Sequence, residues 1–450
     1  MYSEFVRKVL SLYLKARYGN EHPWEYYREL NESQWWSPDE IATLQLKRLN
    51  TLLKHAYQNV PYYAQKFREV DLEPDDIKTL DDLPKLPILT RQEIRENLPN
   101  LVAKNFPHSK IIPYATGGST GEPLQFYVTE ESKGRGVAAS NRAYSWYGYE
   151  LGDKVAYLWG SPRDLSIQQS LSNKISLLVF RTIYLDAFNM SEKQMEEFAQ
   201  KLAKFKPEAI IAYASAGYLF AKFLQHREIK NIRPRVVITQ AEKLFPQQRQ
   251  LIEGVFNCEV FDFYGSREVS AMAAECPQHQ GYHISAENVI LEFVRDNKPV
   301  PSGETGKILV TDLHNYAMPF IRHENGDLGI PLVGKCSCGR GLPLMKEVTG
   351  RTSDIIIGAG GKKIHGEFFT HLFWDKPWVK QFQAIQDRNR NITIKIVGEQ
   401  AEESEIEAIR AIIQQEVGSE IKLDILFVDF IDSTKSGKYR FTISEAPLEF

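Results

Sequence analysis

Cysteine is scarce, with four in 450 residues. That is too few for a secreted scaffold built on disulfides. The close pair Cys336-x-Cys338 points instead to a metal site or to free thiols in a reducing cytoplasm. Net charge is nearly absent as well. The 55 Lys and Arg residues almost balance 58 Asp and Glu, leaving a formal −3. No broad basic surface follows, which argues against nucleic acid as the main partner. No stretch approaches the ~18 uninterrupted apolar residues of a membrane span. The first twenty residues do not read as a secretory leader, because Arg7, Lys8 and Lys15 cut their apolar runs. Internal repeats and low-complexity tracts are missing too. A cytoplasmic location is the expectation, and a homodimer is compatible with the sequence.

What is present is an ordinary globular composition, 43% apolar, 12% aromatic and 25% charged. A chain of 450 residues outgrows a single core, so at least two domains are expected. Tyr2, Phe5, Val6, Val9 and Tyr13 recur at helical spacing. They read as a surface helix packed on its own domain, membrane docking being the rarer use of such a stripe. Residues 1–110 read as mostly helical, punctuated by Pro84, Pro87 and Pro107.

From about 205 the pattern alternates. Apolar runs at 206–213, 233–240 and 258–265 read as buried strands. Helical segments at 216–226 and 245–256 lie between them. This order predicts a parallel sheet flanked by helices. Ligands of open parallel sheets bind beyond the carboxyl ends of the strands. Those ends carry Tyr213, Gln240-Ala241-Glu242 and Asp262-Phe263-Tyr264-Gly265. Residues 288–294 and 307–313 read as further strands, antiparallel, around the turn Pro301-Ser302-Gly303.

Beyond Gly350 the order becomes strand 354–358, helix 367–374, strands 380–386 and 392–398, helix 402–417 and strand 422–430. A β-α-β-β-α-β series of about 100 residues predicts a small ferredoxin-like α+β domain. The expected division is therefore 1–350, an α/β domain with parallel and mixed sheets, and 351–450.

Thr116-Gly117-Gly118-Ser119-Thr120-Gly121-Glu122-Pro123 is the sharpest local signal. Its glycines let backbone approach a ligand, and its hydroxyls and N–H groups offer donors to phosphate oxygens. It is not the G-x-x-x-x-G-K-[ST] loop. The segment resembles the phosphate loop of the adenylate-forming superfamily of acyl-CoA synthetases and related ligases. Tyr264-Gly265-Ser266-Arg267-Glu268 resembles that superfamily's Tyr-Gly-x-x-Glu segment. Arg322-His323-Glu324-Asn325-Gly326-Asp327-Leu328 is similar to its Arg-Tyr-x-Thr-Gly-Asp-Leu segment. Gly350-Arg351-Thr352-Ser353-Asp354 resembles the Gly-Arg-x-x-Asp junction between its domains, and Ser436-Gly437-Lys438-Tyr439-Arg440 its C-terminal Ser-Gly-Lys segment. Spacing and the Cys336–Arg340 element most resemble the phenylacetate–coenzyme A ligase branch, including its capsule-biosynthesis relatives.

The resemblance implies an ATP-dependent ligase that activates a carboxylic acid as acyl-AMP, releases pyrophosphate and passes the acyl group to coenzyme A. It implies that Thr116, Ser119, Thr120 and Gly121 hold phosphates. Tyr264 would stack on adenine, in a cofactor-binding set with Ala241, Glu242, Asp262, Gly265 and Ser266. Asp327 would accept hydrogen bonds from the ribose hydroxyls, and Glu268 would ligate Mg²⁺ through oxygen. Lys438, with Arg351 and Glu268 as the other catalytic residues, would bridge carboxylate and α-phosphate in the transition state. On a mobile 351–450 domain, Lys438 would then withdraw for thiol attack. Trp159, Tyr213 and Tyr264 favour an aryl or short hydrophobic acid. Departures from the pattern are Glu122 in place of Lys, His323 in place of Tyr, and Ser353 where relatives often carry a hinge Asp or Lys.

Cys276, Cys336 and Cys338 with His283 would make a closed tetrahedral zinc site, structural rather than catalytic. His279 is an alternative fourth ligand. Two other functional readings stand beside the acid–thiol ligase: an adenylating ligase with an amine or hydroxyl acceptor, and a nucleotide-binding regulator without turnover.

Overall fold

Val236–Gln240 is buried at every position but the last, as in a strand covered on both faces. In the computed structural model it lies, as β6, inside a twelve-stranded sheet. The structure describes residues 23–116, 124–159, 177, 180–187, 190–351, 355–374, 376–432 and 440–446. The N-terminal stripe, Ser119, Thr120, Gly121, Ser353 and Lys438 lie outside them.

The chain divides into two compact units. One comprises Met1–Asn325 with Gly329–Val348, the other Gly326–Leu328 with Thr349–Phe450. The larger unit opens with helices α1 (Pro23–Ser33), α2 (Pro38–Asn59), α3 (Pro61–Glu69) and α4 (Arg91–Asn97). Helix α2 starts at a capping box, Ser37 accepting from the Glu40 backbone while the Glu40 carboxylate returns to Ser37. A hairpin of β1 (Ile112–Ala115) and β2 (Gln125–Val128) leads into α5 (Glu130–Trp146).

Next come β3 (Val155–Trp159), β4 (Thr182–Asp186), α6 (Glu192–Phe205), β5 (Ala209–Tyr213), α7 (Ala214–His226), β6, α8 (Pro246–Phe256) and β7 (Glu259–Ser266). Strands β4, β3, β5, β6 and β7 pair in that order, all parallel. The apolar runs expected at 206–213, 233–240 and 258–265 are β5, β6 and β7, side by side. Strands β8 (Ser270–Glu275), β9 (Tyr282–Ile284), β10 (Val289–Arg295), β11 (Lys298–Pro299), β12 (Gly306–Asp312), β13 (His323–Leu332) and β14 (Leu344–Arg351) extend the sheet. The full order is β11-β10-β12-β13-β14-β9-β8-β7-β6-β5-β3-β4. Alternation divides β5 and β6 between two cores. Ala209, Ile211, Val236 and Ile238 pack with α5, whereas Ile210, Ala212 and Val237 pack with α6, α7 and α8.

The smaller unit carries β15 (Ile355–Ile357), β16 (Lys363–His365), α9 (Glu367–Trp374), β17 (Val379–Gln386), β18 (Ile392–Gly398), α10 (Glu403–Val417), β19 (Leu423–Phe427) and β20 (Thr442–Ser444). Its four-stranded sheet runs β19-β18-β17-β20. Ile392, Ile394 and Ile396 meet Ile409, Ile413 and Val417 of α10 in its core. The unit combines α9 and α10 with a small sheet, as expected of an α+β domain, but its topology corrects one detail of the ferredoxin-like series. Ile355–Ile357 does not join the sheet; it turns back at Gly358–Gly361 and pairs with β16 as a hairpin. The edge beside β17 is taken in parallel by Thr442–Ser444. With β18 on its other side, β17 has no edge left for Ile355–Ile357. Among the described residues no helix is long and apolar enough to cross a membrane.

Candidate active site and Cys/His centre

Parallel pairing aligns the carboxyl ends of β5, β6 and β7, with Tyr213 opposite Gln240 and Gln240 opposite Phe263. Helix α7 begins where β5 ends, and the Glu242 carboxylate accepts the Ser215 backbone N–H at 2.9 Å. An acidic group at that helix start suits the dipole. Ala241, between Gln240 and Glu242, turns the chain with φ +70°. Trp159 at the end of β3 packs against Tyr213 with centroids 4.3 Å apart.

Asp262 is anchored more deeply. Its carboxylate accepts Thr239 Oγ1–H at 2.6 Å and the Tyr282 hydroxyl at 2.8 Å. Burial, then the nearby Glu275 charge, push its pKa up to about 6. Glu275 holds the strand by accepting the Asp262 backbone N–H at 2.7 Å, and is itself gripped by Arg249 at 2.8 and 2.9 Å. Tyr264 is buried, with its hydroxyl accepting Asn325 Nδ2–H at 2.9 Å. Gly265 admits no side chain, since a Cβ would stand 2.5 Å from the Ser270 carbonyl oxygen. This close approach draws β7 and β8 together, and the Ser266 hydroxyl accepts Val269 N–H at 3.2 Å across the connection.

That connection carries Glu268, 6% exposed at its side chain and 3.2 Å from Arg91. The same guanidinium reaches Thr116 Oγ1 at 3.4 Å and the Asn325 carbonyl at 3.5 Å. Thr116 also closes the base of the glycine-rich loop: its N–H donates to the Leu124 carbonyl at 3.0 Å, and its hydroxyl accepts Leu124 N–H at 2.9 Å. Arg91 thus joins two residues singled out from sequence, yet the sequence reading missed it. The visible signal was the capping box of Thr90 and Glu93, which places Arg91 first in α4. Nothing in it revealed a target 177 residues away. In the smaller unit Arg351 Nε stands 3.2 Å from Asp327 Oδ1.

Cys276 follows β8, His283 lies on β9, and Cys336 and Cys338 sit between β13 and β14. Pairing of β9 with both β8 and β14 puts His283 opposite Ala274 and Leu344. Cys276 Sγ is 3.5 Å from Cys336 Sγ, and Cys338 Sγ 3.3 Å from His283 Nε2. All four donor atoms lie within 4.8 Å of one another. Burial, reinforced by Arg340 and Arg142, pushes His283 down to about 4. Its imidazole is neutral at ordinary pH, the form that binds metal. Burial pushes the Cys276 thiol up to about 12. At Cys338 burial opposes ionisation, but the Arg340 backbone and side-chain donors outweigh it and bring that thiol below its ordinary range. His279 is turned elsewhere, stacked on Phe261 at 4.9 Å and 3.6 Å from Glu275.

Comparison with known proteins adds four findings. Residues 356–445 match the family described as the CapK C-terminal domain. Phenylacetate-coenzyme A ligase of Escherichia coli (strain K12) is 30% identical over 335 residues, covering 72% of this chain and 74% of that protein. Protein CapK of Staphylococcus aureus is 23% identical over 450 residues, 96% of this chain and 94% of its own length. Among solved structures, a 2-hydroxyisobutyryl-CoA ligase in the postadenylation state with R3-HIB-AMP has a TM-score of 0.73 at 20% identity, covering 92% of each chain. The last shows the shared fold.

Proposed function

Because the chain belongs to the phenylacetate–coenzyme A ligase family of adenylate-forming ligases, we propose that it activates a carboxylic acid with ATP as acyl-AMP, releases pyrophosphate, and transfers the acyl group to coenzyme A. The observation that carries this reading is the meeting of Glu268, Arg91 and Thr116 beside Tyr264, at the carboxyl ends of parallel strands. In it, Ser119, Thr120 and Gly121 hold the phosphates with Thr116. Tyr264 packs the adenine, with Ala241, Glu242, Asp262, Gly265 and Ser266 around it, and Asp327 takes the ribose hydroxyls.

Glu268 fits Mg²⁺, since it is an oxygen donor held beside the loop base. The ion would supply charge neutralisation on the phosphates. Arg351 and Lys438 belong to a mobile 351–450 domain, and the Lys438 ammonium offsets the negative charges that meet when carboxylate approaches the α-phosphate. The four-donor cluster fits zinc, whose closed tetrahedral sites take thiolates and neutral imidazole. There it would contribute folding energy rather than chemistry. An aryl or short hydrophobic acid suits the aromatic strand ends.

A second reading, with an amine or hydroxyl acceptor in place of coenzyme A, is kept because the likeness extends beyond the phenylacetate–coenzyme A ligases to protein CapK, over 96% of the chain. ATP–pyrophosphate exchange across a panel of acids tests the first half-reaction, and ADP as product would sink it. Lys438→Ala should slow exchange by about 10²–10³-fold, the loss typical of one preorganised charge. The same variant given synthetic acyl-AMP and coenzyme A should form thioester at near wild-type rate. If the wild type forms none, the acceptor is not coenzyme A and the second reading takes over.

A further inference from the structure

The row at the carboxyl ends of β3, β5, β6 and β7 is aromatic at Trp159, Tyr213 and Phe263. Gln240 is the polar member, in register between Tyr213 and Phe263. Val236 and Ile238 bury on the side covered by α5, and alternation along the strand puts Gln240 on that same side.

Its amide is held at one end. Nε2 donates to the Tyr144 hydroxyl of α5 at 2.6 Å. Tyr144 is itself braced, its ring 5.7 Å from Phe263 and 5.8 Å from Tyr149. The other end of the amide is open. Among the described residues Oε1 of Gln240 accepts no hydrogen bond. The strands below are buried, whereas Gln240, Trp159 and Tyr144 are only half-buried. An oriented acceptor therefore looks out from an aromatic wall, next to Ala241 and Glu242.

We propose that Gln240 selects for a carboxylic acid that carries a hydrogen-bond donor, a hydroxyl or amino group, on an aromatic or short apolar body. A body of that kind packs on Trp159, Tyr144 and Phe263. Its donor satisfies Oε1, whereas an acid without one desolvates the amide and leaves it unpaired. Sites built around such a bond reject the analogue that lacks it far better than apolar pockets sort by size. Tyr144 acts as a positioning residue, holding the amide so that its oxygen faces the acid. The inference rests on the acid-activation reading.

The test is ATP–pyrophosphate exchange with matched acids: phenylacetate against its ring-hydroxylated and ring-amino forms, benzoate against hydroxybenzoates, butyrate against 3-hydroxybutyrate. In at least one pair the donor-bearing acid should show kcat/KM higher by about tenfold or more. Gln240→Leu should bring that ratio to unity or invert it, with KM for ATP changed little. Tyr144→Phe keeps the ring, frees the amide, and should lower the ratio part way. It also serves if Gln240→Leu melts early. Exchange that proceeds equally with both members, or a ratio that neither variant alters, overturns this inference and leaves acid activation standing. Exchange with no acid at all by the wild type removes the activation reading and this inference together.

Discussion

Two arginine–glutamate pairs of the larger unit share a chemistry and differ in surroundings. Arg142 and Glu287 meet at 2.6 Å with side chains 1% and 0% exposed. The Ser33 hydroxyl donates to the same Glu287 oxygen at 2.7 Å, and Arg142 also reaches the Leu30 carbonyl and Ser285 Oγ. Arg91 and Glu268 meet at 3.2 Å, with Arg91 27% exposed. The partners of the first pair tie α1 and α5 to the residues just before β10. Those of the second are the base of a phosphate-type loop and a turn at the sheet's carboxyl end. A charge enclosed on every side serves the fold, while one left partly open has room for something not yet bound.

Glu287→Ala offers the largest break in this contrast. It strands the Arg142 charge in the core and should cost about 3–5 kcal/mol of stability. Urea titration followed by the fluorescence of the larger unit checks it. Glu268→Gln should do the reverse. Its carboxylate is buried, but the Arg91 guanidinium is 27% exposed and the amide still offers it an acceptor oxygen, so the loss of unfolding free energy should be clearly smaller than in Glu287→Ala. Adenylation should nonetheless fall by about 10²–10³-fold in pyrophosphate exchange. A Glu268 variant that unfolds as readily as the Glu287 one would erase the distinction between them.

A smaller effect sharpens the picture at the Cys/His centre. The unfolded chain protonates His283 near its ordinary ~6.5. The folded chain, its imidazole pushed down to about 4 by burial and then by Arg340 and Arg142, does not. Between those values the unfolded state binds the extra proton, so stability falls as pH drops through that window. Its slope is at most about 1.4 kcal/mol per pH unit. Bound zinc acts with the same sign, since a proton displaces it. Thermal melting from pH 7 to pH 4 should steepen in wild type and flatten in His283→Asn. Zinc content by elemental analysis should be lost in Cys336→Ser.

The parallel strands and their carboxyl-end residues were legible because apolar runs of five to eight residues between short helices allow few arrangements. Cys336 and Cys338 were legible as a pair for a similar reason, since two residues apart in one turn they cannot be far apart in space. In the sequence only the resemblance favours His283 over His279, and its place beside the cysteines was not legible. It depends on β9 pairing with β8 and β14, while His279 stacks on Phe261. The smaller unit erred in the same way: Ile355–Ile357 has the composition of a strand, but nothing in its run says which neighbour it pairs with.

The sequence by itself determined the local and the periodic: the strands and helices, the capping boxes, and the family to which ordered short segments point. Tertiary structure alone decided which charges are enclosed and which are open, that Arg91 meets Glu268, and that Tyr144 orients Gln240. These contacts join residues 177 and 96 positions apart. Local propensity reaches only a few residues along the chain, and so carries no information about such partners. They are selected when sheet pairing and helix packing bring distant backbone together, and burial then makes an unpaired polar group costly.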